Sequence, residues 1–519
     1  MAEPMFWWSD RQRALMKEAA EFADSHRERS REIGWTSEYP WDVMEEIGRK
    51  GWLGATIPDE YGGCADELGG VTSLAILSEE LGRVPCATWP FPVTAFGGTK
   101  QIVDHANHDQ KSRWLPRIAR GESFGAVCVT EPFAGSDASG IEMAATRVDG
   151  GYVLNGKKRY ITDIGAAGHY LVYAVVEGEA TPEARAKRRH LSVFYVRGGT
   201  PGLTVERFHE LGGHEYVRNG ILNFHDVFVP TEDRISEEGD GWRILTSGLN
   251  LERVLVSAGA VGMMREALYF GASWTSRRLQ FGQPVDRFQR VETKLAEAIA
   301  RVRMDRSFLY HTAALMDRGE SCALDASITK LVTSKDGVDI CMDMIQAMGG
   351  DGVSKYYPVE QLARSMKVKG IGGGSNEVMT GLIYRQATRQ MADDLYGDVH
   401  GFFPADRREG RASSVAEQST DTGRVLAALA DGYVTDPGLY MRAGELAAAA
   451  GLDPAALDAA VGELVRDGKV IAWPSTDDVR MVRATFAGLR EAHDPEWYRL
   501  RVPDFVGDRD LIEARTAEV

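Results

Sequence analysis

The stretch Val127-Cys-Val-Thr-Glu-Pro-Phe-Ala-Gly-Ser-Asp137 ends a short apolar run in hydroxyls and small residues. Backbone and hydroxyl donors can approach a flat polar ligand there, although a structural turn has the same composition. Lys157-Lys-Arg-Tyr-Ile-Thr-Asp163 places an aromatic ring and a hydroxyl two residues apart, on one face of a strand, which suits a ring cofactor. Arg278-Leu-Gln-Phe-Gly-Gln-Pro284, followed by Phe288-Gln289, ends one helix and starts the next. It gathers a guanidinium, an aromatic face and amides, a set suited to phosphate and adenine. In Gln346-Ala-Met-Gly-Gly-Asp-Gly352, then Tyr357-Pro-Val-Glu360, the glycines permit close backbone approach. Ile371-Gly-Gly-Gly-Ser-Asn-Glu-Val378 is a glycine run opening a helix, where free N–H groups favour an anion or a polarised carbonyl.

The elements that must position these pieces change character along the chain. From Asp10 to about Glu122 the pattern is helical, with Leu15, Ala19, Phe22 and Ala23 on one face, Val43, Ile47 and Leu53 following, and Leu74, Leu77 and Leu81 in a further run. From Phe124 the texture becomes β-branched and aromatic, predicting strands over Gly151–Asn155, Tyr170–Val176, Leu191–Val196 and Gly220–Val229. After Pro230 long periodic segments return at Trp242–Arg277, Val291–Leu315, Leu324–Met348 and Glu377–Met391, which reads as a four-helix bundle. Tyr396 to Thr422 lacks a period and marks a linker. Beyond it, helical patterns at Gly423–Ala430, Arg442–Ala450 and Pro454–Arg466 precede a hairpin of Lys469–Trp473 and Val479–Phe486 around Pro474–Asp478, a winged-helix-like unit. The predicted fold class is α+β, with a helical domain over 1–123, a middle β-barrel or sandwich domain over 124–238, a helical bundle over 239–395, a linker over 396–420 and the extra domain over 421–519.

Composition excludes more than it assigns. The chain has 519 residues, 44% apolar and 26% charged, which predicts a soluble globular protein of more than one domain. No apolar run approaches the roughly 20 residues of a membrane span, and Met1 to Asp10 lacks a basic start followed by an apolar stretch, so a cytoplasmic protein off the membrane is expected. Five scattered cysteines without a CxxC pair suggest reduced thiols, and dispersed histidines suggest no metal site. A net charge of -16 disfavours general nucleic-acid binding. In the tail, the would-be recognition helix Pro454–Arg466 has a single basic residue, at its end, so a packing or protein-contact role is expected there.

Taken in order, the pieces over roughly residues 8 to 390 resemble the acyl-CoA dehydrogenase family, whose helical, β and helical domains follow in the same sequence. The resemblance implies FAD at a dimer interface, within a homodimer or homotetramer, an acyl-CoA substrate, and electrons leaving to an electron-transfer flavoprotein. It implies that Thr130, Ser136, Tyr160 and Thr162 line the flavin and its ribityl chain, with Tyr160 where the family commonly has Trp. Arg278, Gln280, Phe281 and Gln289 would reach the diphosphate and adenosine from the neighbouring subunit, where Gln346, Gly349 and Gly350 would also touch the cofactor, and Ser375, Asn376 and Glu377 would close its site. Ser136, Asn250, Arg253 and Gly374 match positions on the CoA side of the thioester.

The implied reaction removes a proton beside the thioester carbonyl and passes a hydride from the next carbon to the flavin, so it needs one placed carboxylate. Many members carry that Glu directly before the Gly-Thr of the closing motif, where this chain has Gly373. Leu249-Asn-Leu-Glu-Arg253 resembles the isovaleryl-CoA and long-chain branch, in which the base is on this helix, so Glu252 becomes the expected base. Its bland reading is a surface partner for Arg253 or a nearby basic residue. Gly373 keeps an N–H that can polarise the carbonyl, and Gly372 is expected either to widen the cavity for branched or cyclic acyl groups or to be a plain turn. The competing functions are an acyl carrier protein thioester dehydrogenase, a flavin monooxygenase on the same fold, and a non-catalytic flavin-binding protein acting through its tail.

Overall fold

The computed structural model describes residues 3–396, 418–435, 440–473 and 481–492, in two compact units that divide after Thr388. In the first unit, helix α1 (Asp10–Ser25) starts at a reciprocal cap in which the Ser9 hydroxyl accepts the Gln12 N–H and the Gln12 side chain accepts the Ser9 N–H. Its buried residues are Leu15, Ala19, Phe22 and Ala23, the stripe predicted for it. Helices α2 (Arg27–Thr36) and α3 (Trp41–Arg49) follow, and α4 (Gly70–Gly82) is buried on nearly every side. Helix α5 (His108–Ala119) repeats the reciprocal cap with Asn107 and Gln110.

The β-domain is an eight-stranded sheet of β1 (Gly125–Cys128), β2 (Ala144–Val148), β3 (Gly151–Thr162), β4 (His169–Val176), β5 (Leu191–Arg197), β6 (Leu203–Phe208), β7 (Asn219–Pro230) and β8 (Arg234–Ile235). The order is β6-β7-β3-β2-β4-β5-β8, with β1 parallel to β4. Every residue of β4 is buried, which explains its unbroken apolar reading. Strand β3 runs seven residues past its expected end at Asn155, with register shifts against β7 on either side of Lys157-Lys158. Polar residues at those bulges hid the continuation from a period-2 pattern.

Helices α6 (Leu249–Thr275), α7 (Gln289–Asp317), α8 (Ala323–Met348) and α9 (Val359–Lys369) follow, then α10 (Asn376–Tyr396), within which the first unit ends. The bundle differs from the sequence expectation in three places. Trp242–Arg277 is two helices, Gly241–Ser247 and α6, because Gly248 breaks the first from the second. The segment Tyr357-Pro-Val-Glu360 opens a helix, α9, that the sequence reading left out. Between α6 and α7 the chain also forms a short hairpin, β9 (Leu279–Gln280) with β10 (Gln283–Pro284).

Small residues set how deep α6 lies. A Cβ on Gly262 would collide with the Glu79 carbonyl, and one on Gly82 with the Gly259 carbonyl, so α4 and α6 touch backbone to backbone. Glu79 is 1% exposed at that crossing. It accepts hydrogen bonds from Arg265 of α6 and from Arg306 and Tyr310 of α7, at 2.5, 2.8 and 2.5 Å. Burial works against its charge, but Arg265 and Arg306 hold the carboxyl below its usual range.

The second unit contains helices Asp421–Thr435, Ala443–Ala450, Pro454–Arg466 and Phe486–Ala492 around Leu426, Leu429, Leu446, Leu457, Val461 and Leu464. Its strands Met441–Arg442 and Val470–Trp473 each pair antiparallel with Met481–Ala484. The first of these strands was not expected, and Phe486 opens a helix instead of ending a strand. The linker, apart from its two ends, and the turn at Pro474–Asp478 lie outside the described residues. Among the described residues no helix is long and apolar enough to cross a membrane, and no group of three His, Cys, Asp or Glu residues could hold a metal.

Candidate active site

Helix α6 carries Glu252 in its first turn, its N–H bonded to the Gly248 carbonyl at 3.0 Å, at the helix end whose dipole favours an anion. Across from it lies the glycine run between α9 and α10. Gly373 and Gly374 have φ of +66° and +93°, conformations that a side chain would strain. A Cβ built on Gly373 would be 3.2 Å from Glu252 Oε1. The carboxylate therefore stands against the place where a side chain at 373 would begin. Burial pushes the Glu252 carboxyl above its usual range, while Arg253 and Lys330 pull it part of the way back. Arg253, which is 8% exposed, donates to Asn250 Oδ1 at 3.0 Å. The Arg253 guanidinium is bonded to Asn250, while its charge and that of Lys330 still act on the Glu252 carboxyl.

Lys330 was missed in the sequence. It is 1% exposed, and its ammonium donates to the Gly374 carbonyl at 2.6 Å and to Asn376 Oδ1 at 3.1 Å. Ser334 donates to the same Asn376 oxygen at 2.9 Å, and the Asn376 N–H returns to the Gly370 carbonyl at 2.9 Å. Asn376, expected at the cofactor, thus spends its side-chain oxygen on holding the glycine run. The detectable signal was spacing: Ala326, Lys330 and Gly337 recur on one buried face of α8. Burial lowers Lys330 to about 8, with Arg253 acting in the same direction and Glu252 and Glu377 against it. Lys330→Met is expected to slow acyl-CoA reduction of the flavin by about 10- to 100-fold through misplacement of the run. Stopped-flow absorbance at full FAD occupancy checks this, and an unchanged rate would show that the clamp is dispensable.

Gly372 does not open the cavity as one expectation held. A Cβ there would be 3.0 Å from Trp89 Cη2, so the indole occupies the room. Trp89 was a second omission of the sequence reading.

The expected cofactor residues fall on two sets of elements. On the β-domain, the Thr130 carbonyl accepts the Arg159 N–H at 2.8 Å, joining the loop after β1 to β3. Tyr160 is 50% exposed with φ +56°, Ile161 between it and Thr162 is buried, and Asn219 Nδ2 donates to the Tyr160 carbonyl at 3.1 Å and to the Thr162 hydroxyl at 3.2 Å. Ser136 is exposed on the loop after β1. On the bundle, Arg278, Gln280, Phe281 and Gln289 are exposed on and beside the β9–β10 hairpin, with Phe281 94% exposed. Gln346, Gly349 and Gly350 are exposed at the end of α8, where Cβ atoms on the two glycines would meet nothing within 4 Å. Trp274 Nε1 donates to Asp351 at 3.0 Å and ties the end of α6 to that glycine turn. A half-exposed tyrosine ring with the Arg159 guanidinium 4.7 Å from its centroid, an exposed phenylalanine and an open glycine cradle fit a large ring-and-phosphate cofactor. Ser375 and Glu377 flank Asn376 at the start of α10, with the Ser375 hydroxyl accepting the Val378 N–H at 3.4 Å. A separate groove of about 990 Å³, lined by Tyr39, Trp41, Phe208 and Arg218, includes none of these residues.

Comparison with known proteins matches the N-terminal, middle and C-terminal domains of acyl-CoA dehydrogenase to residues 9–122, 126–227 and 239–388. An acyl-CoA dehydrogenase of Bacillus subtilis is 34% identical over 345 residues, covering 66% of this chain and 88% of that protein. The mitochondrial isovaleryl-CoA dehydrogenase of Solanum tuberosum is 31% identical, covering 74% and 92%. The solved butyryl-CoA dehydrogenase of Megasphaera elsdenii superposes with a TM-score of 0.69 at 30% identity, over 75% of this chain and 100% of that one.

Proposed function

The chain belongs to the acyl-CoA dehydrogenase family, and from that premise we propose that Glu252 is the base that begins its reaction. The protein is an FAD-dependent oxidoreductase that dehydrogenates an acyl-CoA thioester. Bound FAD supplies the acceptor for the hydride leaving the β-carbon. The observation that carries the assignment is the 3.2 Å between Glu252 Oε1 and the Cβ position of Gly373, which brings a carboxylate from α6 to the closing motif. The Gly373 N–H polarises the thioester carbonyl and acidifies the α-carbon, and Glu252 takes the proton. Lys330 fixes the run that carries this N–H. Asn250, Arg253, Ser136 and Gly374 are assigned to the CoA side, and Thr130, Ser136, Tyr160, Thr162, Ser375 and Glu377 to the flavin. A second copy of the chain presents Arg278, Gln280, Phe281, Gln289, Gln346, Gly349 and Gly350 to the adenosine diphosphate end. Ile299, Met304, Val332 and Met342, exposed on α7 and α8, supply apolar surface for a homodimer or homotetramer. The proposed electron acceptor is an electron-transfer flavoprotein, and the proposed compartment is the cytoplasm, where the free cysteines stay reduced.

Anaerobic titration of the holoprotein with straight, branched, cyclic and aromatic acyl-CoAs tests the reading. Bleaching of the flavin by at least one of them is expected. Bleaching by acyl carrier protein thioesters alone would move the assignment to carrier-bound substrates. No bleaching by any thioester would leave a flavin-binding interaction protein, and turnover that needs oxygen would mark a monooxygenase.

The domain divisions near 123, 238 and 395 are part of the same proposal, as is a winged-helix-like tail, supported by its order of helix, strand, two helices and two further strands. A protein-contact role for the tail is supported by Val465, Ile471 and Trp473, exposed at 42, 37 and 61%, whereas Arg466 is the single basic residue of Pro454–Arg466. A chain ending at Tyr396 is expected to keep FAD and its kcat/KM for acyl-CoA, because the family match ends at residue 388. Loss of flavin binding in that chain would contradict this division of labour.

A further inference from the structure

Glu252, Gly372, Gly373 and Trp89 are each half-buried, and Trp89 is so between neighbours that are buried: Ala87, Thr88, Pro90 and Phe91. Trp89 thus keeps accessible surface where its chain neighbours keep almost none. On the proposed base assignment, Glu252 and Gly373 mark the place of the reacting carbons. At the neighbouring residue, the Gly372 Cβ position is 3.0 Å from Trp89 Cη2 and 3.6 Å from Cζ3, so the far edge of the indole stands against the place a side chain at 372 would take. The sequence offered Gly372 as added room, and the structure fills that room from the other side.

The ring is held in place. Lys369, 1% exposed, places its Nζ 4.4 Å from the Trp89 centroid, with the Thr88 carbonyl at 3.5 Å. The His214 ring meets the indole edge-on at 5.4 Å and is itself fixed by Ser365 Oγ at 2.6 Å. Phe91, 1% exposed, and the prolines at 90 and 92 fix the backbone that follows. Moving the indole aside would break the contact with Lys369 and the one with His214 together.

We infer that Trp89 sets acyl-chain selection in this enzyme: its indole closes the acyl cavity just beyond the reacting carbons and restricts the substrate to short or compact apolar acyl groups. This rests on Glu252 and Gly373 marking the reacting end. The wall the indole offers is an aromatic hydrocarbon edge, Cη2 and Cζ3, which favours an apolar acyl group. A pocket cut short by a rigid ring rejects longer chains by steric exclusion, which discriminates more strongly than the loss of one methylene contact.

The test compares kcat/KM for butyryl-CoA and dodecanoyl-CoA, read by anaerobic flavin bleaching of the holoproteins. The wild type is expected to prefer butyryl-CoA, and Trp89→Ala to raise the dodecanoyl-to-butyryl ratio by about 100-fold. Adding Gly372→Tyr to Trp89→Ala refills the cavity from the loop and is expected to return the ratio toward the wild-type value. If Trp89→Ala loses FAD, Trp89→Phe, which keeps an aromatic ring, is expected to shift the ratio in the same direction by a smaller factor. A wild type that prefers dodecanoyl-CoA, or a ratio unmoved by substitution at 89, overturns the inference while leaving the base assignment intact. Bleaching that survives Glu252→Gln, with selection still moved by Trp89→Ala, would sink the base and keep the wall.

Discussion

Glu252→Gln is expected to retain FAD and to lose reduction of the flavin by acyl-CoA, with the rate falling by about 10²- to 10⁴-fold, the usual contribution of a placed general base. Glutamine preserves the shape that meets Gly373 but cannot accept the proton. The pH dependence follows from the direction of the shift. Because burial raises the Glu252 carboxyl above its usual range, the reactive carboxylate is lost, and the rate falls, as pH drops through a value above that of an ordinary glutamate. Lys330 pulls that value down, so in Lys330→Met the acidic limb should move toward higher pH. A limb at the ordinary glutamate position in the wild type would argue that Glu252 is solvated and not at the reacting carbons.

Glu79→Ala is expected to cost about 3–5 kcal/mol of stability, because it removes one member of a buried ion network and leaves the Arg306 charge without its carboxylate. Arg265 would keep its bond to Glu80 at 2.6 Å and Arg306 its bond to the Glu3 carbonyl at 2.7 Å, but neither replaces the carboxylate shared between α6 and α7. The helix that Glu79 anchors is the one that carries Glu252, so the site should loosen with the fold. Urea unfolding of the holoprotein measures the loss, and Glu79→Gln should lose less because it retains the shape and an acceptor. A change below about 1 kcal/mol would place this network among exposed pairs of little worth, against its burial.

What the sequence disclosed and what it hid have separate causes. The helical stripe of Leu15, Ala19, Phe22 and Ala23 and the apolar run of β4 were legible because each is a local pattern imposed by one buried face or by two. Helix α9 was hidden by the glycines and proline before it, and the second half of β3 by polar residues at its bulges. At the site, the loss of a carboxylate at 373 and its gain at 252 could be read as an exchange once the family resemblance supplied the two positions. Trp89 and Lys330 could not, because their importance lies in how close they come to Gly372 and Gly374 across long sequence separations. The openness expected of Gly372 failed for the same reason: a glycine in sequence shows that a side chain is missing, and only packing shows what takes its space.

The most direct test of the central claim is exchange of the α-proton itself. Holoprotein incubated with an acyl-CoA in deuterated buffer, with the recovered thioester read by mass spectrometry, reports proton removal apart from electron transfer to any acceptor. Wild type is expected to place deuterium at the carbon beside the carbonyl, and Glu252→Gln with full FAD occupancy to place almost none. Exchange at the wild-type rate in Glu252→Gln would contradict the assignment and require another base.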